Sequence, residues 1–265
     1  MEINVKNISE ILTPIILEAG KIMLSAHADE ARDVSEKGSA ANFVTVYDVK
    51  IQEFLISEIK KEIPSAYFVA EEKENDEGAL DHEYCFIIDP IDGTANFVHE
   101  LHMSSISVGV YSYRKPLFGA VYNPYLDELF TAESGKGAYL NGQQIKVSDR
   151  KFDHAIVHFG TSPYYKDTLA DLSFDVAKRF FMSCSDIRRC GSAAIALANI
   201  ASGRSDIFFE CILSPWDIAA GAILVEEAGG VITDMKGNPI DFSRPSPVLA
   251  ANRELLKAAL ELINK

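Results

Sequence analysis

Residues 86–97 read FIIDPIDGTANF and join an apolar run to two acidic residues. The run at residues 86–88 predicts the end of a buried strand, and the polar residues after it predict a sharp turn. Pro90 restricts Asp89 to an extended conformation, whereas Gly93 permits tight backbone geometry. The two carboxylates should therefore converge on one point, where a hard divalent cation such as Mg²⁺ would offset their repulsion. The alternative is a simple Asp-Gly turn with no bound ion.

Composition and charge limit the classes of function. The 265 residues, 48% of them hydrophobic, can bury one large core or two smaller ones. With 39 acidic and 25 basic residues, the net charge of -14 argues against direct binding to nucleic acid or to an anionic membrane. The N-terminal sequence MEINVKNISE is unlike a signal peptide, and no apolar run approaches the ~20 residues of a membrane span. We therefore expect a cytoplasmic protein.

Neither the cysteines nor the histidines predict a zinc or redox site. The cysteines include no CxxC pair, so we expect buried, reduced thiols at Cys85, Cys184, Cys190 and Cys211. His99 and His102 form an HxxH pair, but the strong donors near them are carboxylates rather than further nitrogen or sulfur ligands. We therefore expect these histidines to serve packing or hydrogen bonding. The motifs GxxxxGK[ST], GxGxxG and GxSxG are absent.

Residues 1–147 predict a mainly antiparallel sheet that carries two long helices. Apolar residues recur at intervals of three and four over residues 5–27, where Pro14 should kink or restart the helix, and again over residues 51–59. Strand patterns follow at residues 67–70, 106–111, 117–122, 129–133 and 138–145. Asn141-Gly142 predicts a hairpin turn inside the last of these segments.

Residues 148–265 predict an α/β half in which strands alternate with helices. The polar stretch at residues 148–153 marks the expected boundary between two domains. A small-residue helix is predicted near residues 191–201, and a strand is predicted over residues 207–210. The sequence PWDIAAGAILVEEAGG predicts a further helix with Asp217 at its start, where an N-cap role is the alternative to a functional one.

Glu71 and Glu72 open the charged run EEKENDEG directly after a predicted strand. A solvated loop is one interpretation of so many charges. The other is that neighbouring strand ends place Glu71 beside the acids of residues 89–92, where it would supply a third carboxylate. Lys37 and Asp48 lie in earlier segments, and periodicity alone assigns them no role.

Four motifs together resemble the inositol monophosphatase family of Mg²⁺-dependent, lithium-sensitive phosphatases. They are Glu71-Glu72 after a strand, DPIDGTANF at residues 89–97, GSAA at residues 191–194 and PWDIAAG at residues 215–221, in the family's order and approximate spacing. The resemblance runs essentially from end to end. It implies a layered αβαβα sandwich of the α+β to α/β class, with the site between an antiparallel N-terminal half and an α/β C-terminal half.

The resemblance also implies two or three Mg²⁺ ions. It places a first metal between Glu71, Asp89 and the Ile91 carbonyl. It places a second between Asp89, Asp92 and Asp217, and a third, weaker ion near Glu71. Four side-chain carboxylates would repel a phosphate dianion until metal binding reverses the local charge. Metal loading should therefore precede substrate binding.

The remaining matched residues are expected to activate water or to bind substrate. Asp48 and Thr94 match the pair that helps to activate the attacking water, and Lys37 matches a basic residue near the site. Glu210 matches a residue that hydrogen-bonds substrate hydroxyls, and Ala193 matches one whose backbone touches the substrate ring. Amides at the helix start after Gly93 would cradle phosphate oxygens. The expected substrate contacts are Asp92, Gly93, Thr94, Ala193 and Glu210.

The implied reaction is hydrolysis of a phosphomonoester by in-line attack of water, without a covalent phosphoenzyme. Inositol 1-phosphate is the expected substrate, because an acid at position 210 suits vicinal hydroxyls. Fructose 1,6-bisphosphate, NADP and nucleotide bisphosphates are alternatives on the same scaffold, since a sugar phosphate would suit the same acid. The resemblance also implies a homodimer.

Two other classes of function compete with this interpretation. A phosphatase of the haloacid dehalogenase type would use Asp89 as a nucleophile and would need a second Asp two residues later, where Ile91 stands. The other class is a regulatory binding protein that has kept the fold. The intact acids argue against that class, although one protein can combine catalysis and regulation.

Overall fold

The computed structural model describes residues 8–26, 34–36, 43–72 and 75–264. The helices are α1 (Ile8–Ser25), α2 (Val46–Glu62), α3 (Thr94–Val98), α4 (Lys166–Phe181), α5 (Ala193–Ala201), α6 (Pro215–Glu227) and α7 (Arg253–Ile263). The strands are β1 (Val34–Glu36), β2 (Phe43–Thr45), β3 (Tyr67–Ala70), β4 (Cys85–Asp92), β5 (Ser105–Ser112), β6 (Lys115–Asn123), β7 (Glu128–Glu133), β8 (Gly137–Leu140), β9 (Gln143–Ile145), β10 (Ile156–Phe159), β11 (Asp186–Arg188), β12 (Ile207–Leu213), β13 (Val231–Thr233) and β14 (Ser246–Ala251). No helix in these ranges is both long enough and apolar enough to cross a membrane.

The first sheet has seven strands in the order β3-β4-β5-β6-β7-β8-β9. β3 runs parallel to β4, and every other neighbouring pair is antiparallel. The prediction of a mainly antiparallel sheet is therefore confirmed. Asn141 and Gly142, with φ of 48° and 78°, form the predicted hairpin turn between β8 and β9, a turn that requires positive φ at both central residues.

The second sheet has five strands in the order β11-β10-β12-β14-β13. β10 runs parallel to β11 and β12, whereas β14 runs antiparallel to β12 and β13. β12 continues to Leu213 rather than ending at Glu210, which corrects the sequence prediction. Its pairing register shifts between these two residues, and such an irregularity bends a strand without ending it.

Five layers stack in the order helix, sheet, helix, sheet, helix. α1 and α2 pack on the outer face of the first sheet through apolar side chains such as Leu12, Ile16 and Leu55. α5 and α6 fill the space between the two sheets, largely with alanine, leucine and isoleucine. α4 and α7 cover the outer face of the second sheet. The predicted αβαβα sandwich is confirmed.

Glycines in the first sheet allow α6 to approach it closely. A Cβ atom on Gly109 would lie 2.9 Å from the Cβ of Ala219, and one on Gly119 would lie 2.7 Å from the carbonyl oxygen of Ala220. A side chain at either glycine would push the helix away from the sheet. The small residues therefore bring the first turn of α6, with Asp217, against β5 and β6, and β5 is the neighbour of the strand that carries Asp89.

α1 is a single helix from Ile8 to Ser25, so Pro14 does not restart it. A proline in a helix interior costs about 3 kcal/mol because it removes a backbone donor and crowds the preceding turn. Leu12, Ile16 and Met23 are fully buried on the same face of this helix. Burial of a large apolar side chain contributes about 1.5–3 kcal/mol, so together they offset the proline.

Candidate active site

Three acids that are distant in sequence converge at one place. Asp89 and Asp92 lie on β4, and Asp217 lies in the first turn of α6. One carboxylate oxygen from each lies within 4.8 Å of the others. Asp89 is 1% exposed and Asp92 is 7% exposed, so these charges have little contact with water. Within the described ranges, no other group of three or more acids, histidines or cysteines is this compact.

An irregularity in β4 explains why Asp89 and Asp92 converge. In a regular strand these two residues, three apart, would point to opposite faces. Here Pro90 and Ile91 together lie opposite one residue of β5, so the strand bulges and the alternation of faces is reset. β4 therefore continues through Asp92 instead of stopping before Asp89. The Ile91 amide donates to Asp89 Oδ1 at 3.0 Å and fixes that side chain.

The N-terminus of α5 holds Asp92. The Ser192 hydroxyl and the Ala194 amide both donate to Asp92 Oδ2, the amide at 2.7 Å. The Ala193 amide donates to Asp92 Oδ1 at 3.3 Å. A helix N-terminus carries partial positive charge, so these bonds favour the ionised carboxylate. Burial has the larger effect and raises the pKa of Asp92 to about 6.

Asp48 and Asp217 each occupy the third position of a helix and accept a backbone hydrogen bond from the residue that caps it. Asp48 Oδ2 accepts the Thr45 N–H at 2.8 Å, and Asp217 Oδ2 accepts the Ser214 N–H at 2.6 Å. The N-cap of α6 is thus Ser214 rather than Asp217. Both pairs follow the pattern of Ser or Thr followed three residues later by an acid, which is readable in the sequence as a helix start.

Thr94 connects Asp48 to the end of β4, the strand that carries Asp89 and Asp92. The Thr94 hydroxyl lies 3.2 Å from Asp48 Oδ1 and 3.1 Å from the Ile91 carbonyl oxygen, and its one proton is shared between these two acceptors. The Thr45 hydroxyl donates to the other Asp48 oxygen at 2.6 Å. Burial raises the pKa of Asp48 to about 6, while these hydrogen bonds act in the opposite direction.

Burial and mutual repulsion raise the pKa of Asp89 and of Asp217 well above the usual range of a carboxyl. For Asp89 burial is the largest cause, followed by the charges of Glu71 and Asp92. For Asp217 burial is followed by the charges of Asp92 and Glu71. A cation among these acids would relieve the repulsion. Because every donor in the cluster is a carboxylate oxygen, the site fits a hard divalent ion such as Mg²⁺.

Glu71 and Glu72 lie at the edge of this cluster and are partly buried. The Glu71 amide donates to the Ile88 carbonyl at 3.3 Å, so β3 and β4 bring Glu71 to the cavity that Asp89 also lines. Glu71 is not one of the three most compact acids. The Glu72 amide donates to the Gln52 side chain at 2.9 Å. The two acids therefore lie beside the site rather than in a fully solvated loop.

Glu210 reaches the site from the second sheet. It is 8% exposed, and its Oε1 accepts the Ser162 amide at 2.8 Å. A Cβ atom on Gly160 would overlap with the Glu210 carboxylate, so the loop passes directly over this side chain. Burial raises the pKa of Glu210 to about 7, and the charge of Asp92 acts in the same direction.

A cavity of about 390 Å³ opens beside these acids. Such a volume lies within the range of small-molecule sites. Its polar wall comes from both sheets and includes Glu71, Asp89, Asp92, Glu210 and Asp217. Its aromatic wall includes Phe159, Tyr164, Tyr165, Phe208 and Trp216. The cavity therefore places carboxylates and apolar rings around one ligand-sized space.

The remaining residues singled out in the sequence lie in different places. Gly93, Thr94 and Ala193 line the cavity, although the Ala193 amide already donates to Asp92. Lys37 lies outside the described residues. The His102 ring stacks on Tyr125 with ring centroids 4.6 Å apart.

Several residues that hold the site together carry no role in the sequence analysis. The Ser192 hydroxyl donates a hydrogen bond to Asp92, which is 100 residues away in the sequence. The Ser162 amide donates to Glu210, which is 48 residues away. Arg189 lines the cavity and donates to the Thr161 hydroxyl at 3.1 Å. The N-cap position of Ser192 gives a local signal for a helix start. The partners of these side chains give none, because the contacts form only when the two sheets meet.

The fold has counterparts among solved structures. Extragenic suppressor protein suhB from Bartonella henselae is 32% identical and superposes with a TM-score of 0.90, covering 97% of this chain and 98% of that one. SaIMPase-II with inositol monophosphate bound is 26% identical, with a TM-score of 0.82 over 95% of this chain and 91% of that one. The same protein with 2′-AMP bound is 27% identical, with a TM-score of 0.80 over 94% and 91%.

Sequence relatives identify the family. Inositol monophosphatase 2 of Mus musculus is 35% identical over 263 residues, covering 96% of this chain and 90% of that protein. Nus factor SuhB of Escherichia coli (strain K12) is 38% identical over 232 residues, covering 87% and 85%. The sequence profile of the inositol monophosphatase family matches residues 4–265. The chain belongs to the inositol monophosphatase family.

Proposed function

We propose that the protein is a Mg²⁺-dependent phosphomonoesterase that hydrolyses inositol 1-phosphate. The observation that carries the proposal is the convergence of Asp89, Asp92 and Asp217 within 4.8 Å at the wall of a cavity of about 390 Å³. Membership of the inositol monophosphatase family supports it. The complex of SaIMPase-II with inositol monophosphate gives a precedent for this substrate on a related chain.

The metal-binding part of the proposal assigns five ligands. Glu71, Asp89 and the Ile91 carbonyl would hold one Mg²⁺, and Asp89, Asp92 and Asp217 would hold a second, with a weaker third site near Glu71. The Ile91 carbonyl accepts the Thr94 hydroxyl and retains a second lone pair for a metal. When bound, Mg²⁺ supplies charge that offsets the acids, lowers the pKa of a water and stabilises the leaving oxygen.

Thr94 and Asp48 would orient the attacking water and accept its proton. The single proton of the Thr94 hydroxyl is shared between Asp48 and the Ile91 carbonyl. Its oxygen lone pairs are therefore the groups left to accept a hydrogen bond from water. As the water attacks, Thr94 takes its proton and passes its own to Asp48, which must be ionised at that moment. Lys37 would add positive charge near the site.

The substrate would bind with its phosphate at the acids and its alcohol against the second sheet. Gly93 and Thr94 would contact the phosphate, and Asp92 and the Ala193 backbone would lie against the leaving group. Glu210 keeps its Oε1 bound to Ser162, so Oε2 is the oxygen available to a substrate hydroxyl. An acid that accepts from a hydroxyl discriminates against substrates that lack it, because it would otherwise be left unpaired.

The test is release of phosphate from inositol 1-phosphate, fructose 1,6-bisphosphate, NADP, 2′-AMP and 3′-phosphoadenosine 5′-phosphate, with and without Mg²⁺. We expect Mg²⁺-dependent release, with the highest kcat/KM on inositol 1-phosphate. Asp217→Asn should abolish it, and Asp153→Asn, at a side chain that is 73% exposed, should not. A higher kcat/KM on a nucleotide would replace the substrate assignment, and release from no substrate would overturn the enzymatic proposal.

A regulatory role is the second candidate, favoured by the 38% identity to Nus factor SuhB. It would use the protein surface rather than the acids. When the Asp89→Asn variant is expressed in a cell that lacks this protein, it would then restore the wild-type phenotype although the variant hydrolyses no phosphomonoester. Under the enzymatic proposal the variant should fail to restore it.

We also propose three properties of the whole molecule. The protein would act in the cytoplasm as a homodimer. The chain would divide near residue 148, since the first sheet ends at Ile145 and the second begins at Ile156. Light scattering at several concentrations tests the dimer, and expression of residues 1–147 alone tests the division.

A further inference from the structure

Asn96 connects α3, which directly follows the acid-bearing strand β4, to the segment before α5. It lies in α3, two residues after Thr94, and is 5% exposed. Its side-chain amide donates to two backbone carbonyl oxygens, that of Met103 at 2.7 Å and that of Cys190 at 2.8 Å. Cys190 is 94 residues further along the chain. Both donor hydrogens of one buried amide are thus used to hold two separate segments.

Two glycines make this junction tight. A Cβ atom on Gly191 would lie 3.0 Å from both polar atoms of the Asn96 side chain. A Cβ atom on Gly93 would lie 3.1 Å from the carbonyl oxygens of Gly191 and Met103. Both glycines also have positive φ, at 89° for Gly93 and 80° for Gly191. The two backbones therefore touch without intervening side chains, and neither segment can shift without moving the Asn96 amide.

The segment that Asn96 holds leads directly to the groups that fix Asp92. Cys190 and Gly191 precede Ser192, whose hydroxyl donates to Asp92 Oδ2. The amides of Ala193 and Ala194 follow and donate to the same carboxylate. Asp89 is held differently, by the Ile91 amide within its own strand. A shift of Cys190 and Gly191 would therefore move the groups that hold Asp92 and leave Asp89 in place.

We propose that Asn96 is a positioning residue that sets the affinity of the acid cluster for Mg²⁺, by fixing the α5 N-terminus against Asp92. The inference rests on the proposed function in that it takes these acids to bind Mg²⁺, and it is independent of the substrate. Asn96 acts through Cys190 and Ser192. Outer partners of metal ligands typically contribute 10–100-fold to metal affinity, because they restrict ligand orientation.

The experiment compares Asn96→Ala with a matched control. Asn252 is also a buried asparagine, 9% exposed, and its side-chain amide donates to the Ser148 carbonyl, 104 residues away, at 3.0 Å. Asn252→Ala removes this buried donor at the N-cap of α7, which packs on the opposite face of the second sheet from α5. Mg²⁺ is titrated into wild-type protein and both variants without substrate, by calorimetry and by fluorescence of Trp216, the single tryptophan, which lines the cavity.

We expect the Kd for Mg²⁺ to rise roughly 10–100-fold in Asn96→Ala and to stay unchanged in Asn252→Ala. Both variants should unfold at a lower temperature. Phosphatase activity of Asn96→Ala should return at high Mg²⁺ concentration, with kcat restored. A purely structural role predicts lower stability in both variants and no difference in Kd.

Unchanged Mg²⁺ affinity in Asn96→Ala, or an equal loss in both variants, would overturn the positioning role. Wild-type protein that binds no Mg²⁺ would instead reject the metal site, and with it both proposals. If Asn96→Ala fails to fold, Asn96→Ser takes its place, since serine is small and keeps one donor. We then expect an intermediate rise in Kd, and a wild-type Kd would again overturn the inference.

Discussion

The hydroxyl of Thr94 lies 3.2 Å from Oδ1 of Asp48, a residue 46 positions earlier in the chain. Asp48 is fixed in turn by the amide and hydroxyl of Thr45, so the start of α2 supports the turn after β4. Thr45, Asp48 and Thr94 are all buried, and each has a defined hydrogen-bond partner. These contacts form within the protein alone and need no substrate.

Thr94→Val should separate water activation from metal binding. Valine keeps the shape of threonine but has no oxygen to accept a hydrogen bond from water. We expect kcat to fall on the order of 10²-fold, the lower part of the range for general acid-base groups, with the Kd for Mg²⁺ unchanged. Steady-state kinetics and metal titration measure the two quantities. A parallel loss of Mg²⁺ affinity would show that Thr94 supports the metal site instead.

Asp89→Asn should stabilise the metal-free protein while it abolishes activity. Folding raises the pKa of Asp89, so its ionised form destabilises the fold, and the penalty grows as pH rises through the raised pKa. Asparagine removes the charge and can keep the acceptor for the Ile91 amide. We expect a gain on the order of 1 kcal/mol at neutral pH, which disappears in acid.

Thermal unfolding with and without Mg²⁺ measures this effect. Wild-type protein should be stabilised by Mg²⁺, and Asp89→Asn should no longer respond to it. Asp153→Asn serves as the control because its side chain is 73% exposed. A lower unfolding temperature for metal-free Asp89→Asn than for metal-free wild type would contradict the prediction.

Gly160→Ala should weaken substrate binding and leave Mg²⁺ binding intact. The new Cβ atom would overlap with the Glu210 carboxylate, which must then move together with the loop at Ser162. We expect KM to rise about 10-fold, equivalent to about 1.4 kcal/mol, while kcat changes less. The KM effect should be largest for substrates whose hydroxyls meet Glu210. An unchanged KM on inositol 1-phosphate would remove Glu210 from the substrate contacts.

His158 should make the protein less stable in mild acid. Burial lowers the pKa of His158 to about 4, and the charge of Arg188 acts in the same direction. The unfolded chain, with a histidine pKa of about 6.5, binds this proton earlier than the folded one. The free energy of unfolding should therefore fall as pH falls from about 6.5 to about 4, by up to about 3 kcal/mol.

Urea unfolding of wild type and of His158→Gln at neutral pH and near pH 4.5 measures the His158 contribution. Other titrating groups are common to the two proteins, so the difference between their curves isolates this side chain. Wild type should lose more stability than the variant across that interval. Parallel losses would show that His158 is protonated in the folded state as readily as in the unfolded chain.

Local patterns predicted the parts of this fold that local physics decides. The hairpin at Asn141-Gly142 needs only two residues with positive φ, and the short apolar segments of β5 and β6 are separated by turn residues that lie next to them in the sequence. The long helix is confirmed, and Pro14 does not restart it, because the penalty for a helical proline is local whereas the burial that offsets it comes from the sheet beneath α1. The sequence predicts that β12 ends at Glu210 for the same reason: the last residues of the strand are held by the pairing of Leu213 with Ser246 of β14, which is not a local contact.

Local sequence encodes only part of the candidate site. Asp89 and Asp92 could be placed together because they share one strand and one turn. Asp217 joined them only through the resemblance to the family, since no periodicity relates a turn after β4 to the start of α6. The contacts of Ser192 with Asp92 and of Asn96 with Cys190 span about a hundred residues, and no local signal encodes such distances.

The helix starts at Asp48 and Asp217 have a consequence for how such sequences change over time. Each acid closes the first turn of its helix by accepting the amide of the N-cap residue, Thr45 or Ser214, as the third helical residue of a capping box does. A descendant that had stopped hydrolysing phosphate would thus still be selected to keep both acids for folding. Glu71 and Asp89 would be replaced earlier than Asp48 and Asp217 after catalysis is lost, because neither Glu71 nor Asp89 lies at a helix start.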